Sequence, residues 1–184
     1  MTRYFITFIA LLMALSTLPS RAQEMSKAEM DGIRAAYSAA KEQIDLNSHA
    51  QEQNVPRSEM EIVSHYDVPG CGPTEEVIHY YFTLSEDPVL GTPYYKLYFI
   101  STSYNVAARK FYQEFLFDEE GSDLLFFFQS NDALDGGTDE TRYYYGKNGV
   151  HKSIQGTAEL DEVFAARRAD ELKTAFTHLM NRDY

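Results

Sequence analysis

Cys71 is the single cysteine of the chain, and the chemistry it suggests is a thiolate nucleophile beside a histidine that a third group orients. His79, one strand further on, and the more distant His151 and His178 are the candidate bases. The thiol sits in a Gly/Pro turn with no helix N-terminus expected beside it to lower its pKa, so the surroundings favour a plain turn thiol. The five histidines (His49, His65, His79, His151, His178) form no H-E-x-x-H and no pair at i, i+4, the spacings that would put two ligands on one helix face for zinc. The acidic loop NDALDGGTDE, residues 131–140, does not fit a calcium-binding EF-hand. With Asp135-Gly136 at positions 5 and 6, Ala133 falls at position 3 and Arg142 at position 12, where an acid and a bidentate glutamate belong. An irregular calcium site built from Asp132, Asp135, Asp139 and Glu140 is the alternative to a solvated acidic loop, which the composition favours. Phosphate-cradling glycine patterns and the G-x-S-x-G elbow are missing from the sequence. No cofactor and no metal is expected.

The aromatic residues carry more. There are 14 tyrosines, 12 phenylalanines and no tryptophan. Side chains alternate across a strand, so RKFYQEFLF (109–117) puts Phe111, Phe115 and Phe117 on one face and Tyr112, Glu114 and Leu116 on the other. The same phase brings Tyr81, Tyr98 and Tyr144 from other strands to the second face. These four, Tyr81, Tyr98, Tyr112 and Tyr144, are the candidate ligand-binding residues. A tyrosine offers an apolar ring and a polar tip to a glycan, a peptide or an apolar ligand, although the lack of tryptophan argues against the glycan. The competing role is cross-strand pairing that stabilises the sheet. Arg168 interrupts the stripe Phe164, Arg168, Leu172, Ala175, Leu179 of the last helical segment. Its guanidinium either snorkels to the edge of that stripe or forms a buried ion pair with a carboxylate on the sheet.

The elements that must position these residues form an α+β pattern. A first helix is expected over Lys27–His49, opened by the capping box Ser26/Glu29, with Met30, Ile33, Tyr37, Ala40 and Ile44 as its apolar stripe. Seven strands follow, at about 59–68, 76–84, 94–102, 109–117, 124–130, 141–147 and 150–155, separated by turn signals such as PGCGP (69–73) and DEEGSD (118–123). Asn148-Gly149 signals a type I′ hairpin, which needs positive φ at both central positions. Connections this short allow only antiparallel neighbours, hence a meander in chain order. A last helix is expected over 158–181 with Thr157 as N-cap. Together these predict an N-terminal helix, a seven-stranded antiparallel meander that is strongly twisted or half-barrel, and a C-terminal helix. Both helices are expected on the sheet's concave or inner face.

The N-terminus is read as a cleavable signal. Arg3 supplies positive charge, Tyr4–Leu18 is an apolar run, and Ser20-Arg21-Ala22 places small residues before a cut after Ala22. The run is too short for a membrane-spanning helix of about 20 residues. Residues 1–22 are therefore the expected signal peptide and residues 23–184 a single α+β domain, with no membrane span once the signal is gone. The formal charge is −12, which disfavours phosphate backbones and anionic lipid surfaces and so excludes a nucleic-acid partner.

The segments YNVAARKFYQEFLFDEEG (104–121), PGCGP (69–73) and ETRYYYGKNGVHKSIQG (140–156) resemble a group of uncharacterised small secreted proteins of Bacteroidetes-type bacteria. The resemblance spans most of the mature chain. It implies export to the periplasm or beyond and a similar fold, and it assigns no residue roles. The sequence thus points to an exported, non-enzymatic binding module that uses an aromatic sheet face or a helix–sheet groove, with its ligand or protein partner unidentified. The alternatives are a small cysteine hydrolase built on Cys71, or an acidic inhibitor or immunity-type protein for a basic partner.

Overall fold

The computed structural model describes residues 25–50, 52, 57–87, 89–133, 136–157 and 160–181. The expected signal segment, residues 1–22, lies outside them. The described chain is a helix α1 (Lys27–Ser48), seven strands β1 (Glu59–Val68), β2 (Gly72–Glu86), β3 (Pro93–Val106), β4 (Arg109–Phe117), β5 (Leu124–Asp132), β6 (Thr138–Gly146) and β7 (Gly149–Gln155), and a helix α2 (Glu162–Met180). The strands make one antiparallel sheet in chain order, β1-β2-β3-β4-β5-β6-β7. The α+β meander with a helix at each end is therefore as expected, with β2 and β3 longer than their apolar runs. Their ends pair through polar residues, Glu76 with Tyr104 and Ser85 with Tyr94, which backbone hydrogen bonding accommodates as readily as apolar ones.

The helices do not share a face of the sheet. α2 packs on one side through Ala165, Ala169, Leu172 and Phe176, against Ile78, Tyr80, Ile100, Phe115, Phe127 and Tyr143. α1 packs on the other through Ile33 and Ala40, with Met30, Tyr37 and Ile44 beside them, against Phe99, Leu116, Phe126 and Tyr144. Both sheet faces are apolar along their middle rows, and each requires its own cover. The buried stripe of α2 also differs from the expected one, because Phe164 is 48% exposed and Leu179 42%. The helix is rotated so that alanines meet the sheet and Phe176 lies against Tyr80 and Phe82, with ring centroids 5.5 Å apart in each case. Small residues at positions 165 and 169 let the backbone come close, and burying Leu172 and Phe176 contributes about 1.5–3 kcal/mol each.

Two bulges shape the α1 side. The β2–β3 register steps from Tyr81↔Phe99 to Phe82↔Leu97, leaving Tyr98 as the extra residue. The β4–β5 register steps from Leu116↔Phe126 to Phe117↔Leu124, leaving Leu125. Consecutive residues Tyr98 and Phe99, and likewise Leu125 and Phe126, consequently contribute to the same α1-side cluster, which strict alternation forbids.

Ser26 caps the first helix as expected, and the other cap and turn expectations are not met. Ser26 Oγ accepts the Glu29 N–H at 3.2 Å as a capping box requires, while the Glu29 carboxylate accepts the Lys147 N–H at 2.7 Å and so ties α1 to the β6–β7 turn. That turn pairs Gly146 with Gly149, so its central residues are Lys147 and Asn148. Neither has positive φ, and Gly149 follows at φ 138°; the type I′ turn on Asn148-Gly149 is not formed. α2 begins at Glu162 with Asp161 as N-cap, whose side chain accepts the N–H groups of Val163 and Phe164 at 2.9 Å. Thr157 is not the cap: its N–H is taken by Asp139 Oδ1 at 3.1 Å. The expected first residues of that helix, 158 and 159, lie outside the described residues. Among the described residues no helix is long and apolar enough to cross a membrane.

Candidate functional site

The registers align the α1 side of the sheet into rows. One runs Tyr81, Phe99, Leu116, Phe126, Tyr144 across β2 to β6. The next runs His79, Ser101, Glu114, Phe128, Arg142, and Tyr112 stands one row further out. The four candidate tyrosines, Tyr81, Tyr98, Tyr112 and Tyr144, thus share one face, and α1 lies over it. Tyr144 is 8% exposed, and the other three are half-buried. The structure gives each a different setting.

Tyr112 belongs to a buried charge cluster. Glu114 is 3% exposed. Its Oε2 accepts the Tyr37 hydroxyl at 2.6 Å, and its Oε1 accepts Lys41 Nζ and the Tyr112 hydroxyl, both at 2.8 Å. Three donors, one of them cationic, compensate the loss of water around the carboxylate. Burial first, and then the adjacent Glu114 charge, hold both phenols well above their ordinary pKa, so they remain donors throughout the neutral range. Tyr81 stacks on His79 at 6.2 Å. His79 in turn sits between Glu59, at 2.8 Å, and Glu61, at 3.5 Å.

Tyr98 and Tyr144 line two grooves, one on each side of α1. Tyr98 borders a groove of about 450 Å³ walled by Ala36, Ala39 and Ala40 of α1 and by Leu116 and Leu125 of the sheet. Its hydroxyl is buried with no hydrogen-bond partner, and burial pushes its pKa up to about 12, with Tyr81 and Glu59 adding to the rise. Tyr144 borders a groove of about 300 Å³, at the small end of ligand pockets. Its helix wall is Ile33, Arg34, Tyr37 and Ser38, and its floor is Phe126, Phe128, Arg142 and Tyr144. Two guanidiniums lie on aromatic rings here, Arg142 at 4.9 Å from the centre of Phe128 and Arg34 at 5.8 Å from that of Tyr144. A concave, aromatic lining with a few directed polar groups is the usual form of a small-molecule site.

On the α2 side, the sheet buries amides instead. Thr102 Oγ1 donates to Gln113, Gln113 to Gln129, Gln129 to Asn131 and Asn131 to Asp139, at 3.2, 2.8, 3.3 and 3.4 Å. These bonds link the buried amides in series across β3 to β6. Beside them Arg168 pairs with Glu76 of β2, its side chain 32% exposed and that of Glu76 13%. Arg168 thus pairs with a sheet carboxylate, but with its own side chain only part-buried the pair is not the fully buried one expected.

The remaining candidates are dispersed. Cys71 is exposed and sits in the β1–β2 turn, where its N–H bonds Val68 O at 2.9 Å. His79 lies eight residues along β2, about 25 Å away at the usual strand rise. His65 faces Glu75, His151 packs on Tyr144, and His49 closes α1. In the acidic loop the carboxylates serve separate partners. Asp132 accepts the Lys110 N–H, Asp139 accepts Asn131 and Thr157, and Glu140 pairs with Arg142, while Asp135 lies outside the described residues. Among the described residues no group of three or more His, Cys, Asp or Glu side chains is placed to hold a metal.

Glu114, Tyr37, Lys41, Arg34 and Arg142 were not singled out from the sequence. The signal for Glu114 was present, since alternation set an acid between Tyr112 and Leu116 on an aromatic face. In comparisons with known proteins no family model matches the chain, and no curated protein and no solved structure matches it.

Proposed function

We propose that this chain is the precursor of an exported, non-enzymatic binding module whose ligand sits in the groove between α1 and the aromatic sheet face at Tyr144. The observation that carries the reading is that groove of about 300 Å³, floored by Phe126, Phe128 and Tyr144 and walled by an amphipathic helix. The signal-like residues 1–22 and the resemblance to small secreted proteins support export to the periplasm or the exterior, with residues 23–184 acting as one domain that starts at Gln23. The separation of Cys71, exposed in the β1–β2 turn, from His79 far along β2 supports a binding role over thiol catalysis. The formal charge of −12 supports a small ligand or a protein as the partner rather than nucleic acid or an anionic membrane. The two bulges, which add local twist, support a strongly twisted, half-barrel sheet whose curvature leaves room beside α1.

The test is a fluorescence titration of the mature protein with the neutral apolar probe N-phenylnaphthylamine. The expected result is saturable enhancement that Ser38→Trp abolishes, because Ser38 is an exposed side chain on the groove wall and an indole there fills it. Undiminished saturable binding in Ser38→Trp moves the seat elsewhere, and no saturable binding by the parent protein overturns the reading.

A further inference from the structure

We infer that the Tyr144 groove selects anions: its ligand is a small monoanion with a planar apolar body, of the size and chemistry of an aromatic carboxylate. The inference rests on the binding role proposed above and goes further, to the charge of what is bound. Its ground is the lining. Acids outnumber Lys and Arg by 28 to 16 in the chain, yet this groove is lined by two arginines and no acid. The other described grooves are mixed or acidic. That beside Tyr98 has Lys96 against Asp118 and Glu119, that at the N-terminal end of α2 has Arg167 and Arg168 against Glu76 and Glu171, and that at the β1–β2 turn has Asp67 and Glu75.

The geometry suits a flat anion. Arg34 comes from the helix wall and Arg142 from the floor, and each guanidinium is held over a ring, Tyr144 and Phe128 respectively. A guanidinium fixed on an aromatic face keeps in-plane N–H donors free for a carboxylate, and a planar body entering the groove meets Phe126 and Tyr144. The acids nearby are accounted for. Glu140 takes one contact from Arg142 Nη2 at 2.7 Å, leaving other donors on that guanidinium. Asp31 is an exposed neighbour of Arg34 at 3.6 Å, a weak, solvent-screened pair. Glu114, in the same row as Phe128 and Arg142, is compensated by Lys41 at 2.8 Å.

The experiment compares three probes of one shape and different charge, naphthoate, naphthalenemethanol and naphthylmethylammonium, by calorimetric titration of the mature protein. Naphthoate is expected to bind about tenfold or more tighter than the alcohol, as a charge-assisted hydrogen bond confers, and the ammonium most weakly. Arg142→Gln and, separately, the exposed Arg34→Gln should each remove most of the preference for naphthoate over the alcohol. Equal binding of naphthoate and alcohol, or tightest binding of the ammonium, overturns the anion inference and leaves the groove a binding site. Failure of all three probes to bind overturns both.

Discussion

The Glu114 carboxylate is 3% exposed, and two of its three donors, Tyr37 and Lys41, come from α1. Those bonds cross between layers, so the residue works as a latch between helix and sheet. Hydrogen bonds to a charged group contribute about 1.5–3 kcal/mol each. Tyr37→Phe is therefore expected to lower stability by about 2 kcal/mol in urea unfolding, and by far less once Glu114 has been replaced by Leu. A double-mutant cycle giving a coupling of about 1 kcal/mol or more fits the latch; strict additivity contradicts it. Strand alternation alone set Glu114 beside Tyr112 and Leu116. Its partners lie 77 and 73 positions away, and nothing local in either segment specifies which carboxylate will meet which hydroxyl. Arg168 teaches the same lesson: helix periodicity marked the charge as out of place, and Glu76, 92 positions earlier, emerged only when the helix docked.

Turns and caps belong to the scale of elements, and here local chemistry competes with docking. The β3–β4 connection is a two-residue turn on Ala107 and Ala108, and Ala107 has φ 53°, a conformation that costs an L-residue with a Cβ about 1–2 kcal/mol. Asn105 braces the site, since its Nδ2 donates to Pro73 O at 3.0 Å and Ala107 O at 3.2 Å, and its Oδ1 accepts the Glu75 N–H at 3.0 Å. Ala107→Gly relieves the strain and is opposed by the greater freedom of glycine in the unfolded chain. A net gain of about 0.5 kcal/mol in unfolding free energy is expected, and a loss would show that the turn carries no strain. Elsewhere the favoured local signal lost. Asn148-Gly149 is a strong hairpin dipeptide, yet the Glu29 carboxylate on the Lys147 N–H accompanies a turn placed one residue earlier. Thr157 could cap a helix, yet Asp161 does so with two N–H groups while Asp139 occupies the Thr157 amide.

At the scale of the whole molecule, the aromatic rings in both cores give the fold a characteristic response to alkali. Burial is the largest cause of the raised pKa at Tyr37, Tyr98, Tyr112 and Tyr145, and it takes Tyr98 to about 12. Above the ordinary value of 10.0 the unfolded chain loses phenolic protons that the native state retains, so unfolding releases protons and stability falls with rising pH. The contribution is fully present below pH 10 and is lost as the pH climbs towards 12 and beyond. Urea midpoints are expected to hold between pH 8 and about 9.5 and to drop steeply above 10, with tyrosinate absorbance of these rings rising together with unfolding. Free titration of all the tyrosines near pH 10 in folded protein would contradict the assignment. Periodicity in the sequence sufficed for seven strands, their meander order, the terminal helices and the phase of Tyr112, Glu114 and Leu116, because hydrophobic alternation and short turns are local and strongly restrict pairing. The side of the sheet taken by each helix, the two bulges, the Glu114 latch and the arginines in the Tyr144 groove were decided only by tertiary packing. Two apolar sheet faces look alike along the chain, and which one a helix covers depends on contacts between segments tens of residues apart.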